Sequence, residues 1–201
     1  MVSSQRTRLL RMADRRRHFT SAEARRRGIH TSVLTRLTRE GAIERLGRGE
    51  YRLAGKESTQ HHGLVLAAAA VPEGVICLLS SLMFHEIGTQ LPPEIWIARG
   101  RGTWQPRAGY PPMRVVRFSG KALTAGVEQQ KLEGRSVRIY DVAKTIADCF
   151  KFRNKIGLDV ALEALTDGWR QRRFRIADVE HYARICRVHN VMRPYLEALV
   201  A

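Results

Sequence analysis

A chain of 201 residues, 44% of them apolar, can bury one large core or two smaller ones, and length alone does not choose between them. No apolar run approaches the ~18 residues of a spanning helix; the longest, residues 64–71, is closed by Pro72. Thirty-five basic against nineteen acidic residues give a net charge of +16, which calls for a polyanionic partner.

The charge is unevenly spread. Residues 1–56 carry fifteen basic and five acidic side chains, a net +10, and nearly all of these cations are arginine, which forks onto phosphate or guanine. The first residues lack the apolar stretch of a secretory signal. They are arginine-rich enough for a transit peptide, but their apolar positions recur at helical spacing, so mature structure is expected. Cys77, Cys149 and Cys186 are far apart and odd in number, which points to a reducing cytoplasm rather than a disulfide framework.

In chain order, Leu9, Leu10 and Met12 share one side of a first helix, with Arg6, Arg8 and Arg11 around the other. In "FTSAEARRRG" Thr20 or Ser21 is a good N-cap, Glu23 suits the first turn and Gly28 is a stop. "IHTSVLTRLTREG" predicts a third helix capped by Thr31 and ended by Gly41. In it Leu34 and Leu37 point inward, while Ser32, Thr35, Arg36 and Arg39, at i, i+3, i+4 and i+7, form one polar face. "AIERL" and "EYRL" then alternate around Gly47-Arg48-Gly49, a hairpin with a basic tip.

Three short helices and a hairpin make the winged helix-turn-helix order. A helix bearing short hydroxyls and arginines fits the major groove. The candidate DNA contacts are therefore Thr31, Ser32 and Thr35, the base readers Arg36 and Arg39, Arg45 and Arg48 on the hairpin, and Arg15, Arg16 and Arg17 for phosphate.

The expected boundary falls at a polar linker or cap, "ESTQHHG", giving a winged domain over residues 1–56 and a second domain over 57–201. There "HGLVLAAAAVP" reads as a helix, "GVICLLS" as a buried strand and "SLMFHEIG" as a helix. "EIWIARG" and "MRVVRFS" read as strands around a Gly/Pro-rich loop, and "QQKLEGRSVRIYD" as a hairpin about Glu133-Gly134. From Asp141 the pattern is helical, with Leu158, Ala161, Leu162, Leu165 and Trp169 spaced as a core stripe. The expected fold class is α+β: a winged helix-turn-helix followed by a mixed α+β domain with a helical C-terminal half.

Together, the winged segment with "GRGEYRL", then "LLSSLMFHEIG", "EIWIA", "VRIYDVAKTIADCF" and "VMRPYLEAL", in that order, resemble the AbiEi antitoxin family, transcriptional regulators of type IV toxin–antitoxin (abortive infection) systems. The resemblance implies a winged domain that represses its own operon, with double-stranded operator DNA as partner. It also implies a C-terminal domain opposing a nucleotidyltransferase-like toxin encoded by the adjacent gene.

Asp141, Lys144 and Asp148 fall on one helix face and suit a metal-dependent nuclease, but Asp141 sits where an N-cap belongs and Lys144 with Asp148 makes an ordinary i,i+4 pair. In "HYARICRVH" Cys186 and His189 are adjacent on a helix, but the five-residue step from His181 to Cys186 turns away, against a metal site. His61 and His62 read as an exposed linker pair, and His85 as a core histidine. Residues 100–104 lack the spacing of a phosphate loop. No catalytic residue, cofactor or metal is expected, and no membrane partner. Lys151, Arg153, Lys155, Arg170, Arg172 and Arg173 form a second basic zone, a candidate surface for a protein partner or further DNA backbone. A metabolite-sensing winged-helix repressor and, behind it, the nuclease stay as alternatives.

Overall fold

The computed structural model describes residues 2–15, 18–47, 49–55, 60–100 and 111–200. Arg16, Arg17 and Arg48, residues 57–59 of the polar linker and residues 101–110 of the Gly/Pro-rich loop lie outside them.

The N-terminal part runs α1 (Val2–Asp14), β1 (Phe19–Thr20), α2 (Ser21–Arg26), α3 (Thr31–Arg39), β2 (Ile43–Gly47) and β3 (Glu50–Leu53). Its sheet has the order β1-β3-β2, antiparallel throughout. The apolar stripes close on one another: Leu9, Phe19, Ala24, Leu34, Leu37 and Ile43 are fully buried in one cluster. Helix α2 starts with a capping box, in which Glu23 N donates to Thr20 Oγ1 at 3.0 Å and Thr20 N donates to Glu23 Oε2 at 2.7 Å. Gly28, at φ +70°, makes the turn into α3. That helix is capped by His30 rather than Thr31: the extended His30 presents Nδ1 to Ser32 N at 3.5 Å. The imidazole takes the orphan N–H expected of the threonine hydroxyl, and Thr31 becomes the first helical residue.

The body continues with α4 (His62–Ala70), β4 (Val75–Ile76), α5 (Leu78–His85), β5 (Ile95–Arg99), β6 (Met113–Arg117), α6 (Lys121–Thr124), β7 (Val127–Leu132) and β8 (Arg135–Tyr140). It ends with α7 (Val142–Lys151), α8 (Arg153–Ile156), α9 (Leu158–Arg170), α10 (Ile176–Ile185) and α11 (His189–Val200). Its sheet has the order β6-β5-β4-β8-β7. The pairs β5–β6 and β4–β8 are parallel, β4–β5 and β7–β8 antiparallel. Because side chains alternate along a strand, the sheet has two apolar faces. Ile76, Ile97, Val137 and Ile139 pack with α4 on one face. Val75, Trp96, Ala98 and Tyr140 pack with α5, α7 and the helices behind them on the other. Every residue of α7 from Val142 to Phe150 is buried. The fold is thus mixed α+β with a helical C-terminal part, as expected.

Two further local expectations change. The "GVICLLS" strand shrinks to Val75–Ile76 and its remainder starts α5, since a short buried apolar run has no period to separate strand from helix. Leu158, predicted for the core stripe, is 38% exposed at the start of α9, whereas Ala161 and Leu165 are buried. The β7–β8 turn follows the sequence: Glu133 and Gly134 both have positive φ, the two-residue hairpin geometry matched to strand twist.

Candidate nucleic-acid interface

Helix α3 is divided cleanly. Val33, Leu34 and Leu37 are buried, while Thr31, Ser32, Thr35 and Arg39 are exposed and Arg36 is half-buried. The outward face is weakly engaged: Thr35 Oγ1 donates to the Thr31 carbonyl at 3.4 Å, and Ser32 Oγ lies 3.0 Å from His30 Nδ1. Glu40 stands 3.5 Å from Arg36 and 3.7 Å from Arg6. Exposed pairs of this kind contribute only about 0–1 kcal/mol, so Arg36 can exchange Glu40 for another anion at little cost.

Arg45 projects from β2 with Nε donating to the Gly47 carbonyl at 3.1 Å. Across the hairpin, Arg52 Nη2 meets Glu44 Oε2 at 2.6 Å, which braces the register that carries the tip. Arg15 is exposed in the turn after α1. With Arg8, Arg11 and Arg27 it borders a groove of about 730 Å³ floored by Met12 and Ile29. The sequence reading placed Arg15 but not the grouping, because Arg27 comes from the far side of the helix-turn-helix. The geometry offers hydroxyls and guanidiniums on the exposed face of α3, flanked by cations: donors for an anionic, edge-rich surface.

In the body, polar groups are consumed internally. Asp141 caps α7, accepting Lys144 N at 2.7 Å, and its other oxygen accepts Tyr182 Oη at 2.7 Å. Lys144 Nζ meets Asp148 Oδ2 at 2.5 Å with both side chains sealed from solvent, and Cys186 Sγ donates to Asp148 Oδ1 at 3.2 Å. Lys144 also lies 4.1 Å over the Tyr140 ring. Burial pushes the Asp148 carboxyl up to about 6 despite the lysine. It likewise raises the thiols of Cys77, Cys149 and Cys186, the last to about 12, far from nucleophilic thiolates. The Tyr140 carbonyl accepts from Ser81 Oγ at 3.0 Å and His85 Nε2 at 2.8 Å, so His85 is a bonded core histidine whose imidazole burial holds below its ordinary value. The Asp141–Lys144–Asp148 face that suits a nuclease by spacing is a cap and a core ion pair by geometry.

One reading is overturned. His62 is not an exposed linker residue: it is the first residue of α4, is 5% exposed, and places Nδ1 2.9 Å from Glu133 Oε2. His18 reaches the same oxygen at 3.0 Å, and burial, followed by the charge of Arg135, holds its imidazole below the ordinary value. Sequence reasoning passed over His18 and Glu133 because their partners lie 115 and 71 positions away.

The second basic zone falls into separate places. Lys151 and Phe152 border a cleft of about 470 Å³ with Arg117, Lys121 and Arg187. Arg173 donates to the His85 carbonyl at 3.1 Å and borders another cavity with Glu128, Asp141 and Asp178. Arg153 Nη1 donates to the Phe150 carbonyl at 2.9 Å, and Lys155 lies 5.6 Å over the Phe152 ring. Arg170 and Arg172 are exposed at the end of α9.

Residues 8–54 match the family described as transcriptional regulator, AbiEi antitoxin. The match runs from within α1 through the hairpin, in the segment whose winged order was read from the sequence. Among solved structures, the crystal structure of the Rv2827c protein from Mycobacterium tuberculosis is similar in fold. It shares 14% identity at a TM-score of 0.64, with 89% of this chain and 71% of that one covered. No curated protein matches. Among the described residues, no helix is long and apolar enough to cross a membrane.

Proposed function

We propose that this chain, whose residues 8–54 match the family described as transcriptional regulator, AbiEi antitoxin, is a cytoplasmic two-domain antitoxin that represses its own operon. The observation that carries this is α3, whose apolar face is fixed in the winged core while its other face leaves Ser32, Thr35 and Arg39 exposed. In this reading residues 1–56 are the DNA-binding domain. Thr31, Ser32 and Thr35 enter the major groove, Arg36 and Arg39 read bases, and Arg45 and Arg48 track the hairpin side. Arg15, Arg16 and Arg17 neutralise phosphate. Residues 57–201 form the domain that counteracts a nucleotidyltransferase-like toxin from the neighbouring gene. Exposed cations such as Lys151, Lys155, Arg170 and Arg172, together with Arg153 and Arg173, give that contact an electrostatic component that salt weakens.

Two experiments separate the two halves of the proposal. Binding of the full chain to its own upstream DNA, followed by anisotropy across a salt series, tests repression; equal affinity for that DNA and for scrambled DNA at every salt defeats it. Co-expression with the adjacent gene tests toxin control: restored growth is expected, and continued arrest with both proteins present removes the antitoxin role while leaving DNA binding intact.

A second reading has an observation of its own. The cleft bordered by Arg117, Lys121, Lys151 and Arg187 suits a small anionic effector of a repressor, and a thermal-shift screen of anionic metabolites checks it.

A further inference from the structure

Between the winged core and the body lies a buried cluster that neither the DNA-facing helix nor the α7 ion pair uses. His18 leads into β1, His62 opens α4, and Glu133 sits at the tip of the β7–β8 hairpin. The Nδ1 atoms of the two histidines stand 3.0 and 2.9 Å from the same carboxylate oxygen, and the rings meet edge to face with centroids 5.4 Å apart. Side-chain exposure is 1% for His18, 6% for His62 and 2% for Glu133. Among the described residues, Nε2 of each ring is buried with no hydrogen-bond partner. Buried polar atoms are ordinarily satisfied; here two imidazoles crowd one oxygen and two ring nitrogens are idle.

We infer that His18, His62 and Glu133 bind one divalent transition-metal ion, with Zn²⁺ the best chemical fit. One atom from each residue can be chosen so that all three lie within 4.8 Å of one another, and the two Nδ1–Oε2 separations of 3.0 and 2.9 Å need to open only slightly to reach the roughly 3.3–3.6 Å between ligands that each sit about 2.0–2.2 Å from a tetrahedral ion. The Nδ1 atoms, which face the shared carboxylate oxygen, are the ring nitrogens placed to hold the ion. Two imidazoles and a carboxylate favour zinc, cobalt or copper over calcium or magnesium, which require mostly oxygen. A cavity of about 670 Å³ bordered by Arg15, His18, Glu23, Glu133 and Arg135 supplies an entry path and room for water as a further ligand. The Arg135 guanidinium is paired with Glu23 at 3.2 Å, which offsets its repulsion of a cation. Because the ligands come from segments far apart in sequence, the ion ties the winged unit to the hairpin and to α4. It also stabilises the folded chain by mass action. None of this depends on what the protein binds or represses.

The test uses tag-free, chelator-treated full chain titrated with Zn²⁺ and, separately, with Co²⁺. One equivalent is expected to bind, with a Co²⁺ spectrum of nitrogen and oxygen ligands and no thiolate charge-transfer band. His62→Gln and Glu133→Gln each weaken uptake at least tenfold, while His61→Gln leaves it unchanged. Absent or non-stoichiometric uptake by the parent, a thiolate band placing the ion on the cysteines, or undiminished uptake by both cluster variants overturns the site. The parent's stoichiometry and spectrum decide the matter even if a variant fails to fold.

Discussion

Helices α3 and α7 both carry basic and hydroxyl side chains within about ten residues, yet they do opposite things with them. In α3, Ser32, Thr35 and Arg39 stand exposed beside a buried apolar stripe. In α7, Lys144, Thr145 and Asp148 are buried with the apolar residues, and Thr145 Oγ1 lies 2.8 Å from Ser81 Oγ. The difference teaches how to rank motifs. A polar group that the fold leaves unspent is available for recognition, whereas one already bonded to the protein serves the fold, however suggestive its spacing.

Substitutions can break that contrast. The largest effect is expected at the core pair: Lys144→Met strands the Asp148 carboxylate in a sealed site and should cost about 3–5 kcal/mol in chemical denaturation. The double change Lys144→Met with Asp148→Leu should recover most of it, and a single variant as stable as the parent would show that the pair is not a coupled unit. On α3 the pattern inverts. Arg36→Ala or Arg39→Ala should leave stability within about 0.5 kcal/mol while costing about 1–3 kcal/mol of specific DNA affinity, read by anisotropy on matched and mismatched duplexes. Arg48→Ala should instead weaken all sequences alike and lower the salt slope by about 1; a loss confined to one sequence would contradict its phosphate role. The smallest effect belongs to Thr20→Ala, which removes the α2 capping box and should lower stability by about 1 kcal/mol, with a melting experiment as the check.

The sequence made much of this legible where the signal is local. Amphipathic spacing disclosed α1 and α3, and Glu133-Gly134 disclosed a turn whose two positive φ angles only a hairpin would ask for. Asp141 announced the start of α7 through its position after "VRIY". What stayed hidden is non-local. Nothing near His62 says that Glu133 will close over it, and nothing near Arg27 says that it will share a groove with Arg8 and Arg11. The division of "GVICLLS" between β4 and α5 was hidden for another reason: a segment buried on all sides has lost the polar positions from which a period is read.

The strand order of the body has a consequence for how the chain is made. The winged core closes through pairings such as Phe19 with Tyr51, whereas the middle of the larger sheet joins Ile76 to Ile139. Long loops must be closed before such distant pairings form. The winged unit can therefore fold on the ribosome soon after its hairpin emerges, while β4 and β5 wait for β8 and for the α7 cover that follows it. At translation rates of roughly 5–20 residues per second, that wait lasts on the order of ten seconds. During it the nascent chain presents a finished, basic N-terminal unit alongside uncovered apolar strands, the interval in which chaperone capture or aggregation competes with assembly.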